Sequence, residues 1–371
     1  MSETVSDVLS RSQRELVSRF AEGDQLALAR CISQVEDRAP GFEALLDALH
    51  DGVGSAHRIG ITGPPGAGKS TLTASIARDL RDRGHRVGVI AVDPSSPFTG
   101  GALLGDRVRM DELATEKDIF IRSMASRGAH GGLAAMTREA VDVMDAFGFD
   151  RIIIETVGVG QSELEIASSA DTTVVVLVPE SGDAIQAMKA GLMEVADVFV
   201  VNKADRAGAD MLRKEIQVAR ALASAGSGGA SGAGHHGVDI SSIGRSRIGS
   251  RATEEPAATA APETVSDSGW SEPILKTVAT TGEGLPELVE QIERHHEWLA
   301  ESGTLESRRR NSWMEQVREV LARATASRAD DVWRRWAAEL ASNGAEPDAS
   351  PYEVGWRLFA DLQASYETDA E

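Results

Sequence analysis

A glycine-rich segment early in the chain has the residue types that hold a phosphate chain. Its glycines let the backbone curl until successive N–H groups point at one anion, its lysine neutralises the outer phosphates, and its serine hydroxyl can ligate Mg²⁺. A strand-like run precedes it and a helix-like run follows, whose positive N-terminal end also attracts anions. The segment predicts a nucleoside triphosphate site rather than a simple turn. It matches G-x-x-x-x-G-K-[ST] with Gly63, Pro64, Pro65, Gly66, Ala67, Gly68, Lys69 and Ser70, followed by Thr71.

A second motif indicates which base is bound. Asn202, Lys203 and Asp205 form an N-K-x-D sequence directly after an apolar run. The Asp205 carboxylate can accept both N1–H and N2–H₂ of guanine, whereas adenine has no such pair of donors. The Lys203 stem can lie over the base, and Asn202 can brace the loop. A short match of this kind could be a surface turn, but its position beyond the phosphate motif predicts guanine specificity.

Acidic residues end two further predicted strands, and one of them stands where P-loop proteins hold Mg²⁺. A predicted helix at residues 70–83 joins the phosphate motif to a strand ending at Asp93, so the two strands should be parallel. Asp93 then lies at the carboxyl end of its strand, where ligands of open α/β sheets bind. Glu155 ends another apolar run where P-loop proteins usually place the Asp that holds Mg²⁺, and Gly158 could donate its N–H to the γ-phosphate.

Seven apolar runs predict the strands of an α/β fold. Continuous Val and Ile runs, rather than alternating ones, indicate strands that are covered on both faces. The predicted fold is therefore a P-loop NTPase with a mostly parallel sheet flanked by helices and with helical extensions at both ends. The predicted strands are residues 59–62, 87–92, 120–124, 152–156, 173–178, 198–201 and 274–279.

Composition also predicts how the chain divides. Residues 1–55 are the predicted N-terminal extension, with two amphipathic helices between residues 9 and 50. Residues 56–302 are the predicted P-loop domain, and residues 303–371 a helical arm. Within the domain, residues 225–270 open with a stretch of Ala, Gly and Ser only and are predicted to be a flexible insertion.

Charge and cysteine content argue against several classes of protein. The formal net charge is −20 at pH 7, so the surface repels phosphate backbones and nucleic-acid binding is not expected. No run reaches the ~20 apolar residues of a membrane span. The single cysteine, Cys31, excludes an internal disulfide. With no cleavable leader visible, these features predict a cytoplasmic protein.

Together these segments resemble the methylmalonyl-CoA mutase-associated GTPases, the MeaB and MMAA proteins formerly labelled ArgK or amino-acid-transport kinases. The long run at residues 93–110 is the most family-specific part, because generic P-loop proteins have no such loop. The similarity covers roughly residues 10–225 and 271–340. It is carried by residues 63–71, 93–110, 126–133, 155–163 and 202–205.

The resemblance implies roles for further residues. Asp93, Asp106 and Glu155 match acidic residues that, with the P-loop serine, surround Mg²⁺ and the γ-phosphate. Lys189 matches the key lysine of an extra switch at residues 179–191 that senses the mutase. A loop whose backbone contacts guanine O6 falls at Val278, Ala279 and Thr280, although the family usually has Ser at the first position. The implied catalytic set is Lys69, Asp93, Asp106, Glu155 and Lys189.

The implied function is that of a GTP-hydrolysing chaperone that uses GTP, GDP and Mg²⁺. It would bind adenosylcobalamin-dependent methylmalonyl-CoA mutase, gate loading and protection of the cofactor, and form a homodimer through the C-terminal arm. One alternative is a P-loop kinase or ATPase, as the older label states, but no base and pocket for an acceptor group stand out. Another alternative is a sister chaperone that serves a different cobalamin-dependent acyl-CoA mutase.

Overall fold

The computed structural model describes residues 9–93, 116–125, 132–156, 169–179, 192–227, 269–343 and 349–368. Within these ranges seven strands form one parallel sheet in the order β3-β2-β4-β1-β5-β6-β7. The strands are β1 His57–Thr62, β2 Val87–Asp93, β3 Ile119–Ala125, β4 Arg151–Glu155, β5 Thr172–Leu177, β6 Val198–Val201 and β7 Ile274–Lys276.

Ten α-helices lie in the same described ranges. They are α1 Arg11–Ala21, α2 Gln25–Glu36, α3 Phe42–Leu49, α4 Lys69–Asp82, α5 Gly132–Ala146, α6 Met193–Val195, α7 Ala209–Ser227, α8 Leu285–Ser302, α9 Thr304–Asn343 and α10 Pro351–Thr368. The parallel sheet with flanking helices confirms the predicted fold class. All seven predicted strands are present, although β7 is shorter than predicted because Val278 instead pairs with Glu283 across a turn.

Residues 9–50 differ from the sequence prediction, because this described part of the chain contains three α-helices and not two. The first two begin at polar caps: Ser10 and Gln13 form a capping box before α1, and Asp24 accepts N–H groups at the start of α2. The third helix, α3, has only 8 residues and begins after Gly41, which has φ +82°. So short a helix gives few hydrophobic repeats, and the sequence pattern therefore missed it.

The sheet is buried on both faces, as the continuous apolar strands predicted. One face packs against the N-terminal helices and α5. These helices contribute Leu28, Ile32 and Met144, whose side chains are fully buried. The other face packs against α4 and α8 through residues such as Leu72 and Ile292. By packing, the chain forms two compact units, Met1–Thr304 and Leu305–Glu371. The boundaries at residues 55 and 302 stay predictions.

A buried polar chain joins the starts of β1 and β5 to α8. The Thr172 hydroxyl lies 2.8 Å from His57 Nε2 and 2.9 Å from His295 Nδ1. It has one proton to give, so it donates to one ring and accepts an N–H from the other. The outer ring nitrogens face carboxylates: His295 Nε2 lies 3.3 Å from Asp197, and His57 Nδ1 lies 3.7 Å from Glu293. Sequence reasoning did not find this chain.

The buried His57 should make stability depend on pH. Burial lowers the pKa of its imidazole, although the Glu293 and Asp171 carboxylates oppose this shift. Below the unfolded pKa of about 6.5 the unfolded chain binds a proton that the folded chain resists, so stability should fall as the pH falls. We expect the free energy of unfolding to fall further in the wild type than in His57→Gln between pH 7.5 and 5.5. Urea denaturation of both proteins at each pH measures this; equal losses would contradict it.

Candidate functional site

The glycine-rich segment follows β1 and curls before α4. Gly63 and Gly68 have φ +139° and +87°, which disfavour any residue with a Cβ. Steric overlap also excludes a side chain at either position. A Cβ on Gly63 would lie 2.0 Å from the carbonyl oxygen of Val176, and a Cβ on Gly68 would lie 2.5 Å from Asn202 Nδ2. Both glycines are therefore required by the backbone as well as by the expected closeness of a phosphate chain.

Lys69 is the first residue of α4, and its side chain turns back into the curled segment. Its Nζ donates to the carbonyl oxygens of Gly63 at 2.8 Å and Pro64 at 3.1 Å. The residue is buried. The ammonium group therefore lies inside the curl, where it could neutralise the outer phosphates of a bound nucleotide.

The serine that follows this lysine contacts a glutamate from another element. Ser70 Oγ donates to Glu155 Oε1 at 2.5 Å, which links α4 to the end of β4. Hydroxyl and carboxylate oxygens are the ligands that Mg²⁺ prefers, and the donated proton leaves the lone pairs of the serine oxygen for an ion. This pair fits the predicted ion.

The other predicted ligands are described less fully. Asp93 ends β2, which lies next to β4, so its backbone reaches the same edge of the sheet. Its side chain lies outside the described part of the structure, as do Asp106, Gly158 and Lys189. In the described ranges no group of three His, Cys, Asp or Glu side chains could hold a metal ion. The full predicted ligand set remains a prediction.

Asn202 connects three loops. Its Nδ2 donates to the carbonyl of Ala67 at 2.8 Å, and its Oδ1 accepts from Thr277 Oγ1 and from Ala279 N, each at 3.2 Å. The side chain is buried. The structure thus brings the phosphate segment, the N-K-x-D motif and the loop after β7 together around one amide.

The remaining residues of the motif lie at the surface of this cluster. Lys203 has φ +56°, and its Nζ donates to the carbonyl of Gly66 at 2.8 Å, so its stem spans from the motif to the phosphate segment. Asp205 is exposed, with its carboxylate accessible to a ligand. In the loop after β7, Val278 N donates to Glu283 O at 3.0 Å, and Thr280 is exposed.

Two contacts near the site were missed by sequence reasoning. Thr156 Oγ1 donates to Thr62 Oγ1 at 3.0 Å, and Ser75 Oγ lies 3.3 Å from the carbonyl of Ala279. Thr156 lies in the segment at residues 155–163 that carries the family resemblance, but no role was predicted for it there, and Ser75 lies in no motif. Only the position of Thr156 directly after Glu155 could have suggested it.

Comparison with known proteins identifies the family. Residues 28–331 match the family described as methylmalonyl-CoA mutase-associated GTPase MeaB. The chain belongs to this family. The resemblance inferred from the sequence motifs is therefore confirmed, and with it the assignment to a GTPase family that binds guanine nucleotides.

Relatives of this MeaB-family chain include both curated proteins and a solved structure. A Pyrococcus horikoshii protein provisionally named a GTPase is 43% identical over 316 residues, covering 85% of this chain and 88% of that protein. GTPase ArgK of Escherichia coli is 45% identical over 195 residues, covering 52% and 59%. The crystal structure of a LAO/AO transport system kinase is 26% identical with a TM-score of 0.60, covering 96% and 99%.

One property of the MeaB-family chain concerns membranes. Among the helices of the described ranges, none combines the length and the apolar character that crossing a bilayer requires.

Proposed function

We propose that this protein binds GTP with Mg²⁺ at the carboxyl edge of the sheet and hydrolyses it to GDP and phosphate. The observation that supports this most is the contact of Ser70 with Glu155 at 2.5 Å, directly after a lysine whose ammonium group lies inside the curl of the phosphate segment. Phosphoryl transfer needs little covalent chemistry from the protein, since positioning and neutralisation of charge lower the barrier. These are the properties that the three side chains supply.

Each residue has a separate task in this reaction. Lys69 and the N–H groups of the glycine-rich segment bind the phosphate oxygens and neutralise the charge on them. Ser70 and Glu155 would hold Mg²⁺, with Asp93 and Asp106 as further proposed ligands. The ion, when bound, supplies positive charge against the β- and γ-phosphates. The attacking group is water, and Gly158 is proposed to donate its N–H to the γ-phosphate.

Guanine recognition is proposed for the cluster around Asn202. Asp205 accepts the two donors on the guanine edge, and Lys203 covers the base from the side of the phosphate segment, to which its Nζ already bonds. The loop of Val278, Ala279 and Thr280 is proposed to face guanine O6. Ala279 N donates to Asn202 Oδ1 at 3.2 Å, so that amide also fixes the position of this loop.

The proposed partner is an adenosylcobalamin-dependent methylmalonyl-CoA mutase. The description of the family supports this partner, because it names association with that mutase. We propose that GTP hydrolysis gates loading and protection of the mutase cofactor, with Lys189 as the residue that senses docking. A related cobalamin-dependent acyl-CoA mutase is the alternative partner.

A homodimer is proposed from the exposed apolar side chains of α9. Trp313 and Leu321 are 54% and 67% exposed, and Val317 between them is exposed as well. These residues are spaced four apart, so they lie on one face of the helix. Exposed apolar surface of this kind is typical of an interaction site, and a second copy of the chain would cover it.

The test measures phosphate release from GTP by the purified full chain with and without the mutase. We expect slow intrinsic hydrolysis, and a rate at least ~10-fold higher with the mutase present. Lys189→Ala should keep the intrinsic rate and lose the stimulation. Light scattering beforehand should give twice the 39.3 kDa chain mass. An unchanged rate with either mutase would contradict the chaperone role, and phosphate found on an added acceptor would indicate a kinase instead.

A further inference from the structure

Two buried threonines join the strand end that carries Glu155 to the strand end that opens the phosphate segment. Thr62 is the last residue of β1 and precedes Gly63, and Thr156 directly follows Glu155. Thr156 Oγ1 donates to Thr62 Oγ1 at 3.0 Å. The N–H of Thr156 also donates to the carbonyl of Ile61 at 3.0 Å. The chain leaving β4 is therefore held against β1 by a backbone bond and by a side-chain bond.

The hydroxyl pair is shielded from solvent. Thr62 is 0% exposed and Thr156 is 1% exposed. Water is therefore poorly placed to replace the bond when one hydroxyl is removed. Without Thr156 the Thr62 hydroxyl loses this partner in a buried place, and without Thr62 the Thr156 hydroxyl keeps only the longer contact to the Ile61 carbonyl oxygen, at 3.5 Å. The bond between the two threonines thus matters more than the same bond would at the surface.

This bond joins the two chain segments that lead to the proposed Mg²⁺ ligands, since Thr62 precedes the phosphate segment with Ser70 and Thr156 follows Glu155. The backbone of Gly63 also packs closely against β5, because a Cβ at Gly63 would lie 2.0 Å from the Val176 carbonyl oxygen. The start of the phosphate segment is thereby fixed by β5. β4 pairs with β1 as far as Ile61 opposite Glu155, and Thr156 extends this attachment by one residue past the end of the strand. Glu155 meets Ser70 at 2.5 Å only while the end of β4 keeps this place.

We propose that Thr156 is a positioning residue for GTP hydrolysis, acting through the Thr62 hydroxyl. It keeps the end of β4 in register with the start of the phosphate segment, so that the Glu155 carboxylate stays beside Ser70. Thr156 touches neither nucleotide nor ion in this role. The inference rests on the proposed function, because it assumes that Ser70 and Glu155 serve hydrolysis of GTP.

The test compares Thr156→Val, which removes the hydroxyl and keeps the shape, with Thr156→Ser, which keeps the hydroxyl. In Thr156→Val we expect kcat to fall about 10-fold and the Mg²⁺ concentration for half-maximal rate to rise about 10-fold. GDP affinity measured in EDTA should stay within about twofold, because the phosphate segment itself is intact. Thr156→Ser should restore both values to within about threefold of the wild type.

A double-mutant cycle identifies the hydroxyl pair as the cause. Thr62→Val should reproduce the effect of Thr156→Val, and the double variant should be no worse than either single one, because all three lack the same bond. Melting temperatures measured without nucleotide show whether each variant is folded. If the Thr156→Val variant does not fold, Thr62→Val alone still tests the same bond.

Several outcomes would overturn the proposal. Wild-type kcat and Mg²⁺ dependence in folded Thr156→Val would do so. Equal damage in Thr156→Ser would assign the effect to packing of the methyl group, and additive effects in the double variant would separate the two residues. A wild-type protein that hydrolyses no GTP would overturn the proposed function, and this role with it. Normal wild-type hydrolysis with an unaffected Thr156→Val would overturn the positioning role alone.

Discussion

Lys69→Ala should lower the affinity for GTP by ~10³-fold and leave no hydrolysis above background. The ammonium group is held inside the curl of the phosphate segment by the carbonyls of Gly63 and Pro64, at 2.8 and 3.1 Å. A bound triphosphate would therefore meet a charge that is already in place. Removing it leaves the phosphate oxygens with the N–H groups of the segment and the proposed Mg²⁺, without the ammonium charge. Titration calorimetry with GTP measures the affinity.

The matched control is Lys214→Ala, which removes a lysine from an exposed position of α7. It should bind GTP with wild-type affinity. That result would show that the weaker binding of Lys69→Ala does not come from the change in net charge. Lys69→Met keeps most of the side-chain volume and should fail as Lys69→Ala does. Thermal unfolding without nucleotide tests whether the buried substitution disturbs the fold. Wild-type affinity in folded Lys69→Ala would contradict the assignment of a phosphate site to this segment.

Asp205→Asn should lower the affinity for GTP by ~10²-fold and create use of xanthosine triphosphate. The carboxylate of Asp205 is exposed and can accept both guanine donors, whereas an amide places its own donor against the guanine N2–H₂ group. Xanthine has a carbonyl oxygen there, so the amide can donate to it. Competition between the two nucleotides in a hydrolysis assay measures the change in preference.

Asp51→Asn provides a control for loss of one exposed carboxylate. It should leave both nucleotides with wild-type affinity. If Asp205→Asn keeps wild-type affinity for GTP, the guanine edge is read elsewhere. The loop after β7 would then be the first place to look, because Ala279 lies next to the same asparagine.

The sheet could be predicted from sequence because its strands are local and apolar throughout. A run such as Val198–Val201 has all four residues buried, and only a strand covered on both faces needs that composition. The phosphate segment could be predicted because its chemistry depends on residue types at fixed spacing. The short helix α3 was missed because 8 residues carry too little periodicity.

Contacts between distant residues could not be predicted. The buried polar chain combines His57, Thr172 and His295, which are separated by more than a hundred residues at each step. The bond between Thr62 and Thr156 likewise depends on β1 and β4 becoming neighbours, which follows from the strand order and not from either residue. One sequence without an alignment gives no sign of such pairs.

The three contacts of Asn202 have a consequence for how variants of this site are interpreted. One amide holds the Ala67 carbonyl in the phosphate segment and the Ala279 N–H in the loop proposed for the base. Order in one loop therefore favours order in the other, and thermodynamic linkage makes this coupling equal in both directions. A substitution at Asn202 would change the free energies of binding both ends of a nucleotide at once, so a weaker affinity there could not be assigned to the base alone.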